Sequence, residues 1–275
     1  ISAFTRDDVQ RQFRREYLPQ EATLIVVGDV SVDEVVSQAE TILGDWVSLS
    51  EPQTVAAAEQ VFAPGPSTIF LVDRPGSAQS VIRAVHPTIP RSDADYFAFT
   101  LLNYSFGGQF SARLNQNLRQ DKGYSYGYNS SIHWYRGPSL LMAGGSVQTE
   151  VTKESVQETL QEFNGLRGSR PITQEELDAS KAGLLLGYPA SFERPGLVLN
   201  HLLQLVLFDL PNDYFQTMPP QLEGVSLDDI HRISSQRIDV EGLQILVVGD
   251  RETVEPGLRE LGLPLVILDT DGRVI

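Results

Sequence analysis

Residues 114–128 read Leu114-Asn115-Gln116-Asn117-Leu118-Arg119-Gln120-Asp121-Lys122-Gly123-Tyr124-Ser125-Tyr126-Gly127-Tyr128. A helix ends near Gly123 and passes into a strand whose tyrosines alternate. Period two sets Tyr124, Tyr126 and Tyr128 on one sheet face, with Arg119 just before the turn. Such a row commonly packs half-buried against a sheet, and residue types alone leave packing and function both open.

Hydrolytic metal chemistry would need clustered histidines and carboxylates. His86, His133, His201 and His231 never lie within a helical turn of one another, and no H-E-x-x-H, H-x-x-E-H or EF-hand pattern occurs. This excludes a complete local metal motif, though not a dispersed site. Singly, the four histidines read as surface or satisfied loop positions. With no cysteine there is no thiol nucleophile, no disulfide and no Cys-ligated metal. A G-x-S-x-G elbow and a Walker loop are both missing. The Val-Val-Gly-Asp runs at 26–29 and 247–250 lack the glycine fingerprint of a dinucleotide site. The pairs Gly107-Gly108 and Gly144-Gly145 suit close backbone approach better than phosphate binding.

The elements around these residues are organised by an internal repeat. Residues 5–29 align without a gap on residues 226–250, at a constant offset of 221. Thr5-Arg6-Asp7-Asp8-Val9 faces Ser226-Leu227-Asp228-Asp229-Ile230, and Leu24-Ile25-Val26-Val27-Gly28-Asp29 faces Ile245-Leu246-Val247-Val248-Gly249-Asp250. A hydroxyl N-cap followed by aspartates suits the positive end of a helix dipole. Val9, Phe13 and Tyr17 share one helix face, and Pro19 closes that helix. Each copy then predicts a buried β-branched strand ending in Gly-Asp. In the first copy a capping box at Ser31 and Glu34 opens a second helix, with Val35, Val36, Ala39, Ile42 and Leu43 as its apolar stripe. In the second copy a shorter helix spans about 252–261, and 265–268 is a last strand. Between the copies, residues 49–66 turn to Ser, Pro, Ala, Glu and Gln and read as a linker. Beyond it strands are expected at 68–72, 80–85, 124–134 and 139–147. Helices are expected at 93–105, 109–119, 153–166, 173–187 and 196–208. Strands and helices in this order favour an α+β fold, a largely antiparallel sheet packed with helices.

Over 275 residues, 41% are hydrophobic, enough for a substantial core. The 36 acidic side chains against 21 basic ones give a formal charge of -15, which argues against nucleic acid or anionic membrane surfaces as partners. No stretch approaches about 20 uninterrupted apolar residues, so no membrane span is expected. The start Ile1-Ser2-Ala3-Phe4 has no initiator Met, basic n-region or apolar h-region. If the repeat is real, residues 1–48 are the C-terminal tail of a preceding homologous unit, and 67–275 are a complete unit.

These features resemble the insulinase/pitrilysin family, the inverzincin metallopeptidases that include the mitochondrial processing peptidases. The resemblance lies in Tyr17-Leu18-Pro19 running into Leu24-Ile25-Val26-Val27-Gly28-Asp29-Val30, and in Phe106-Gly107-Gly108 with Ser111 and Leu114. It is most specific in Leu118-Arg119 followed by Gly123 and Tyr126. In that family one unit carries H-x-x-E-H and binds catalytic zinc, and a partner unit lacking the motif contributes an arginine and a tyrosine seven residues apart. Arg119 and Tyr126 have that spacing. The resemblance implies that Tyr126 donates its hydroxyl to the scissile carbonyl as it becomes an oxyanion. It implies that Arg119 holds the substrate backbone or orients that hydroxyl, with Tyr124 also touching substrate. Residues 95–104, where the active unit would carry its motif, hold no histidine and no glutamate. No metal is therefore expected in this chain, and zinc is expected in an upstream unit or a partner subunit. The implied function is the inactive half of a two-unit zinc endopeptidase, its partners being the H-x-x-E-H unit and a peptide substrate. A catalytically silent assembly subunit of the same fold is the alternative, and a separate non-zinc subunit of a heterodimer is a third. The resemblance favours a periplasmic location.

Overall fold

Short runs rich in Val, Ile and Leu pair into a six-stranded sheet in the computed structural model, which describes residues 3–48 and 65–275. The strands are β1 (Thr68–Asp73), β2 (Gln79–Thr88), β3 (Ser125–His133), β4 (Ser139–Gln148), β5 (Gln244–Gly249) and β6 (Leu265–Leu268). Their spatial order is β3-β4-β2-β5-β1-β6. The β3–β4, β4–β2 and β2–β5 pairs are antiparallel, and β5–β1 and β1–β6 are parallel. This is the expected α+β fold with a largely antiparallel sheet.

The helices are α1 (Arg6–Glu16), α2 (Val32–Leu43), α3 (Tyr96–Asn103), α4 (Arg113–Asn115) and α5 (Thr152–Arg167). After them come α6 (Gln174–Gly187), α7 (Pro195–Phe208), α8 (Tyr214–Gly224), α9 (Leu227–Arg237) and α10 (Arg251–Arg259). Two compact units divide the chain. One comprises Ile1–Gln60 and Gly187–Tyr214, the other Val61–Leu186 and Phe215–Ile275. The expected linker at 49–66 lies outside the described residues except for its last two.

The sheet unit is built on alternation. One face presents Ile69 and Leu71 of β1, Ile82 and Ala84 of β2, Leu141, Ala143 and Val147 of β4, and Ile245 and Val247 of β5, all buried. Strand register aligns Leu71, Val247, Ile82, Gly145 and Tyr128 as one row across five strands. Helices α3, α5, α9 and α10 contribute to the same core Phe99, Leu101 and Leu102, Val156 and Phe163, Ile230 and Ile233, and Val254 and Leu258. The rings of Phe106 and Phe163 meet at 4.8 Å. Burying side chains of this size contributes about 1.5–3 kcal/mol each. Asp95, just before α3, receives two hydrogen bonds from Arg232 of α9 at 2.6 and 3.0 Å. Those bonds hold its carboxyl below the usual carboxylate range against the effect of burial.

Both helices of the repeated segment carry the same cap. Thr5 before α1 and Ser226 before α9 accept from the amides of Asp8 and Asp229, whose side chains return the bond to the cap amides. Both helices span 11 residues, and a single 3₁₀ turn follows each, Pro19–Glu21 and Val240–Gly242. The copies then part. Residues 245–249 lie in β5, but residues 24–28, expected as a buried strand, form none. A strand needs neighbours to take its backbone hydrogen bonds. β5 has β1 and β2, and among the described residues nothing pairs with 24–28.

Other expectations shift locally. The helix expected at 93–105 is α3 followed by a π-helical turn, Tyr104–Gly108. The one expected at 109–119 starts at Arg113 and becomes π-helical over Gln116–Asp121. Helix α8 has no counterpart in the sequence reading. It contains Pro219 and Pro220, which lack the amide hydrogens that a helix interior uses. Leu222 and Val225 anchor this stretch in the core.

His86 is neither a surface nor a loop residue. It is buried in β2, and its Nε2 accepts a 2.7 Å hydrogen bond from the Asp239 amide. Burial lowers its pKa below the usual 6.5, with Asp239 opposing. An imidazolium there would also turn the accepting nitrogen into a donor facing a donor. Because the folded pKa is depressed, the unfolded chain takes up the proton first. The stabilisation is full above the unfolded value and is lost as pH falls through the folded one. Thermal unfolding followed between about pH 7.5 and 5 should show stability falling by up to about 1.4 kcal/mol per pH unit from this group. In His86→Gln, whose amide oxygen can accept the same bond, that component should vanish.

Candidate functional site

Close backbone packing places the residues of interest. A Cβ on Gly107 would lie 2.5 Å from the Ser130 amide nitrogen, so only glycine lets the π turn after α3 rest on β3. One on Gly145 would meet the Gly127 carbonyl at 2.4 Å, and one on Gly144 the Ile82 carbonyl at 2.0 Å. Both glycine pairs therefore serve backbone approach.

Asn115, buried in α4, links two parts of the site. Its Nδ2 donates to the Phe110 carbonyl at 2.6 Å, and its Oδ1 accepts from the Tyr128 amide at 3.2 Å. From the other side, Asn117 donates to Glu158 and Glu162 of α5 at 3.0 and 2.7 Å, and Lys122 pairs with Glu158 at 3.1 Å. The π-helical segment carrying Arg119 is thus fastened at both sides. Its guanidinium carbon lies 4.3 Å from the centre of the Phe110 ring, a cation–π arrangement. Arg119 Nη1 is buried and has no hydrogen-bond partner.

After Arg119 the chain turns at Gly123, whose φ of +68° lies in the left-handed region. The Tyr124 amide bonds back to the Leu118 carbonyl at 2.9 Å. Then β3 departs from simple alternation. Ser125 pairs with Val147 and Tyr128 with Gly145, so three steps on β3 match two on β4. Ser125 Oγ fastens this bulge, accepting from the Gly127 amide at 3.0 Å and donating to the Ser146 carbonyl at 2.7 Å.

The expected single face of tyrosines is corrected by this bulge. Tyr128 points into the core, where burial pushes its pKa up and its hydroxyl lies 2.7 Å from Thr159 Oγ1. The Thr159 hydroxyl itself donates to Ser155, which leaves Tyr128 as the donor in the pair. Tyr126 is 92% exposed. Tyr124 is half-buried. Tyr124 and Tyr126 therefore lie at the start of an edge strand, five and seven residues after Arg119, and Tyr128 goes to the core. Phe110 and Asn115 were not singled out from the sequence. The available signals were an aromatic residue two positions after a Gly-Gly pair and an asparagine inside a helix, where its amide must find partners.

The residues present do not fit a catalytic metal. α3, where the resemblance would set a zinc motif, offers Ala98, Phe99, Leu101 and Leu102 to the core. Among the described residues no three His, Asp or Glu side chains are grouped to hold an ion. The histidines are apart, with His86 on the Asp239 amide, His133 beside Ser131, His201 on Ser191 and His231 near the Ile172 carbonyl. A cleft of about 920 Å³ opens between the α4 segment and α5. Six of its charged groups form ion pairs, Arg113 with Glu176, Arg170 with Glu162 and Lys122 with Glu158. Among the described residues no helix is long and apolar enough to cross a membrane.

Several known proteins are similar to this chain in sequence or fold. The family described as the peptidase M16 inactive domain matches residues 3–184. A Helicobacter pylori protein named non-peptidase homolog YmxG is 22% identical over 258 residues, covering 92% of this chain and 57% of that protein. An uncharacterized zinc protease of Streptomyces coelicolor is 28% identical over 131 residues, covering 46% of this chain and 28% of that protein. The chain spans between 28% and 57% of the curated relatives it matches. Among solved structures, a peptidase M16 inactive domain from Pseudomonas fluorescens superposes with a TM-score of 0.75 at 20% identity, covering 90% of this chain and 58% of that one. The shared property there is the fold.

The two tyrosines are separable by stability. Tyr128→Phe leaves the Thr159 oxygen without its buried donor and should cost about 1–2 kcal/mol in urea unfolding. Tyr126→Phe removes an exposed hydroxyl and should leave the unfolding midpoint unchanged within about 0.5 kcal/mol.

Proposed function

The chain belongs to the peptidase M16 inactive-domain family, and on that premise we propose that it closes the substrate chamber of a zinc endopeptidase whose metal sits in another unit. It is an inactive C-terminal domain of the kind found in zinc-protease-like proteins. In the proposal the H-x-x-E-H unit is upstream in the same polypeptide or in a partner subunit, and holds an extended peptide against a sheet edge. That unit supplies the metal and its activated water. This chain supplies Arg119 and Tyr126.

The observation carrying the reading is an exposed phenol hydroxyl on a fastened strand, seven residues after an arginine held on a fastened helical segment. Tyr126 stands exposed on a bulge fastened by Ser125, and Arg119 is pinned over Phe110 with Nη1 unpaired. A phenol hydroxyl aimed at a carbonyl oxygen strengthens its hydrogen bond as negative charge develops there, which favours the transition state over the bound peptide. The guanidinium holds a neighbouring peptide carbonyl and fixes the register. Tyr124, half-buried beside the turn, lines the same approach.

The domain division belongs to the proposal too, with residues 1–48 as the tail of a preceding homologous unit, 49–66 a linker and 67–275 the inactive unit. Support comes from equivalent positions of the repeat. Ile230 is fully buried and its counterpart Val9 is 61% exposed; Ile245 is 1% exposed and its counterpart Leu24 is 62% exposed. Among the described residues, the first copy carries the apolar side chains of a packed element without a sheet to cover them.

A second reading has an observation behind it. The relative covering 92% of this chain is named a non-peptidase homolog, which suits a structural subunit that keeps the fold without the chemistry.

Three measurements decide. Combined with its H-x-x-E-H unit, Tyr126→Phe should lower kcat about 10²–10³-fold with KM nearly unchanged. Equal turnover would favour the structural reading. The chain by itself should cleave no peptide, and chelator-sensitive cleavage by it would refute the assignment. Hydrogen exchange of the amides at 24–28 should be fast in the isolated chain and slow when the upstream unit is present, because a strand protects only what it pairs.

A further inference from the structure

Resting on the reading of Tyr126 above, we propose that Ser125 is its positioning residue: the Ser125 hydroxyl closes a ring of backbone around Tyr126 and so aims the phenol at the peptide. Tyr126 does little to hold itself. Its side chain is 92% exposed, and among the described residues it makes no hydrogen bond or ring contact. The sheet does not hold it either. Register passes from Ser125 straight to Tyr128, so Tyr126 and Gly127 have no partner on β4, and β3 is the edge of the sheet. Gly127 adds freedom, since it has no side chain to restrict its backbone and a Cβ there would meet nothing within 4 Å.

The Ser125 hydroxyl supplies the missing restraint. Its oxygen accepts from the Gly127 amide at 3.0 Å and lies 2.8 Å from the Gly127 carbonyl, so one side chain spans the residue between, which is Tyr126. The same hydroxyl donates to the Ser146 carbonyl at 2.7 Å and ties that ring to β4. A serine bonded to the amide two residues on makes a turn of its own and fixes the backbone of the central residue. Each such bond shifts a local equilibrium about two- to tenfold. A phenol on a fixed backbone meets the carbonyl in one orientation, so the effect of Ser125 falls on turnover and leaves peptide binding alone.

Two measurements test this. In the full chain alone, the Gly127 amide should be protected from hydrogen exchange, lose up to about tenfold of that protection in Ser125→Ala, and regain it in Ser125→Thr. An unprotected Gly127 amide in the unaltered chain overturns the clamp. With the H-x-x-E-H unit present, Ser125→Ala should lower kcat about tenfold with KM nearly unchanged, and Ser125→Thr should restore it. Adding Gly127→Ala to Ser125→Ala should recover part of the loss, because a Cβ at that open position restricts the backbone by other means. In a Tyr126→Phe background, Ser125→Ala should lower kcat no further. A further tenfold loss there shows Ser125 acting apart from Tyr126 and overturns the proposal. Full turnover in Ser125→Ala while Tyr126→Phe is impaired overturns the positioning and leaves the peptidase reading standing. Full turnover in Tyr126→Phe overturns both.

Discussion

The hydrogen bonds that β5 makes on both sides, parallel to β1 and antiparallel to β2, join the two halves of the sheet where strand direction changes. Everything in the sheet unit hangs on that junction. Ile245 and Val247 each stand between a residue of β1 and one of β2, so the buried rows continue from the parallel half into the antiparallel half without a step. The helices α3, α5, α9 and α10 have a continuous apolar face to cover because those rows are in register. A slip of one residue in β5 would turn Leu246 and Val248 inward and break both rows.

One of those rows reaches the candidate site. Leu71, Val247, Ile82 and Gly145 lead to Tyr128, and the missing side chain at Gly145 is what lets the Tyr128 ring and the Gly127 carbonyl lie against β4. With Tyr128 taken into the core and Ser125 bonded to Ser146, the residues between them must bulge outward, and Tyr126 is the one displaced. Tyr126 is exposed because its neighbours are satisfied. Arg119 follows a similar logic. Asn115, Asn117 and Lys122 spend their polar groups on fastening the segment, and the arginine is left with a nitrogen unpaired. In the proposed role, a site built this way would lose little order when a peptide arrives, as precise hydrogen bonding to a developing charge requires.

Much of the molecule is legible from residue types. The caps at Thr5, Ser31 and Ser226 follow from hydroxyl and carboxylate spacing, and all three form. The strands expected at 68–72, 80–85, 139–147 and 265–268 form, the second extending to 79–88, and the glycine pairs follow from the need for close approach. The spacing of Arg119, Gly123 and Tyr126 carries the family resemblance. Helix α8 was not legible, because a double proline removes two amide donors locally and only packing of Leu222 and Val225 offsets that. Nor was the burial of His86, since a lone histidine in a strand looks the same whether its partner is water or the Asp239 amide.

By itself, then, the sequence determined the local elements, the repeat, the fold class and the absence of a local zinc motif, because each depends on residues near one another in the chain. Tertiary structure alone decided which members of like sets do different work. It made 245–249 a strand and left 24–28 unpaired, since pairing partners come from distant residues. It sent Tyr128 inward and Tyr126 outward, since the bulge depends on register with β4. It also set Phe110 under Arg119, a contact that spacing along the chain does not encode because it passes through Asn115 and the edge of β3.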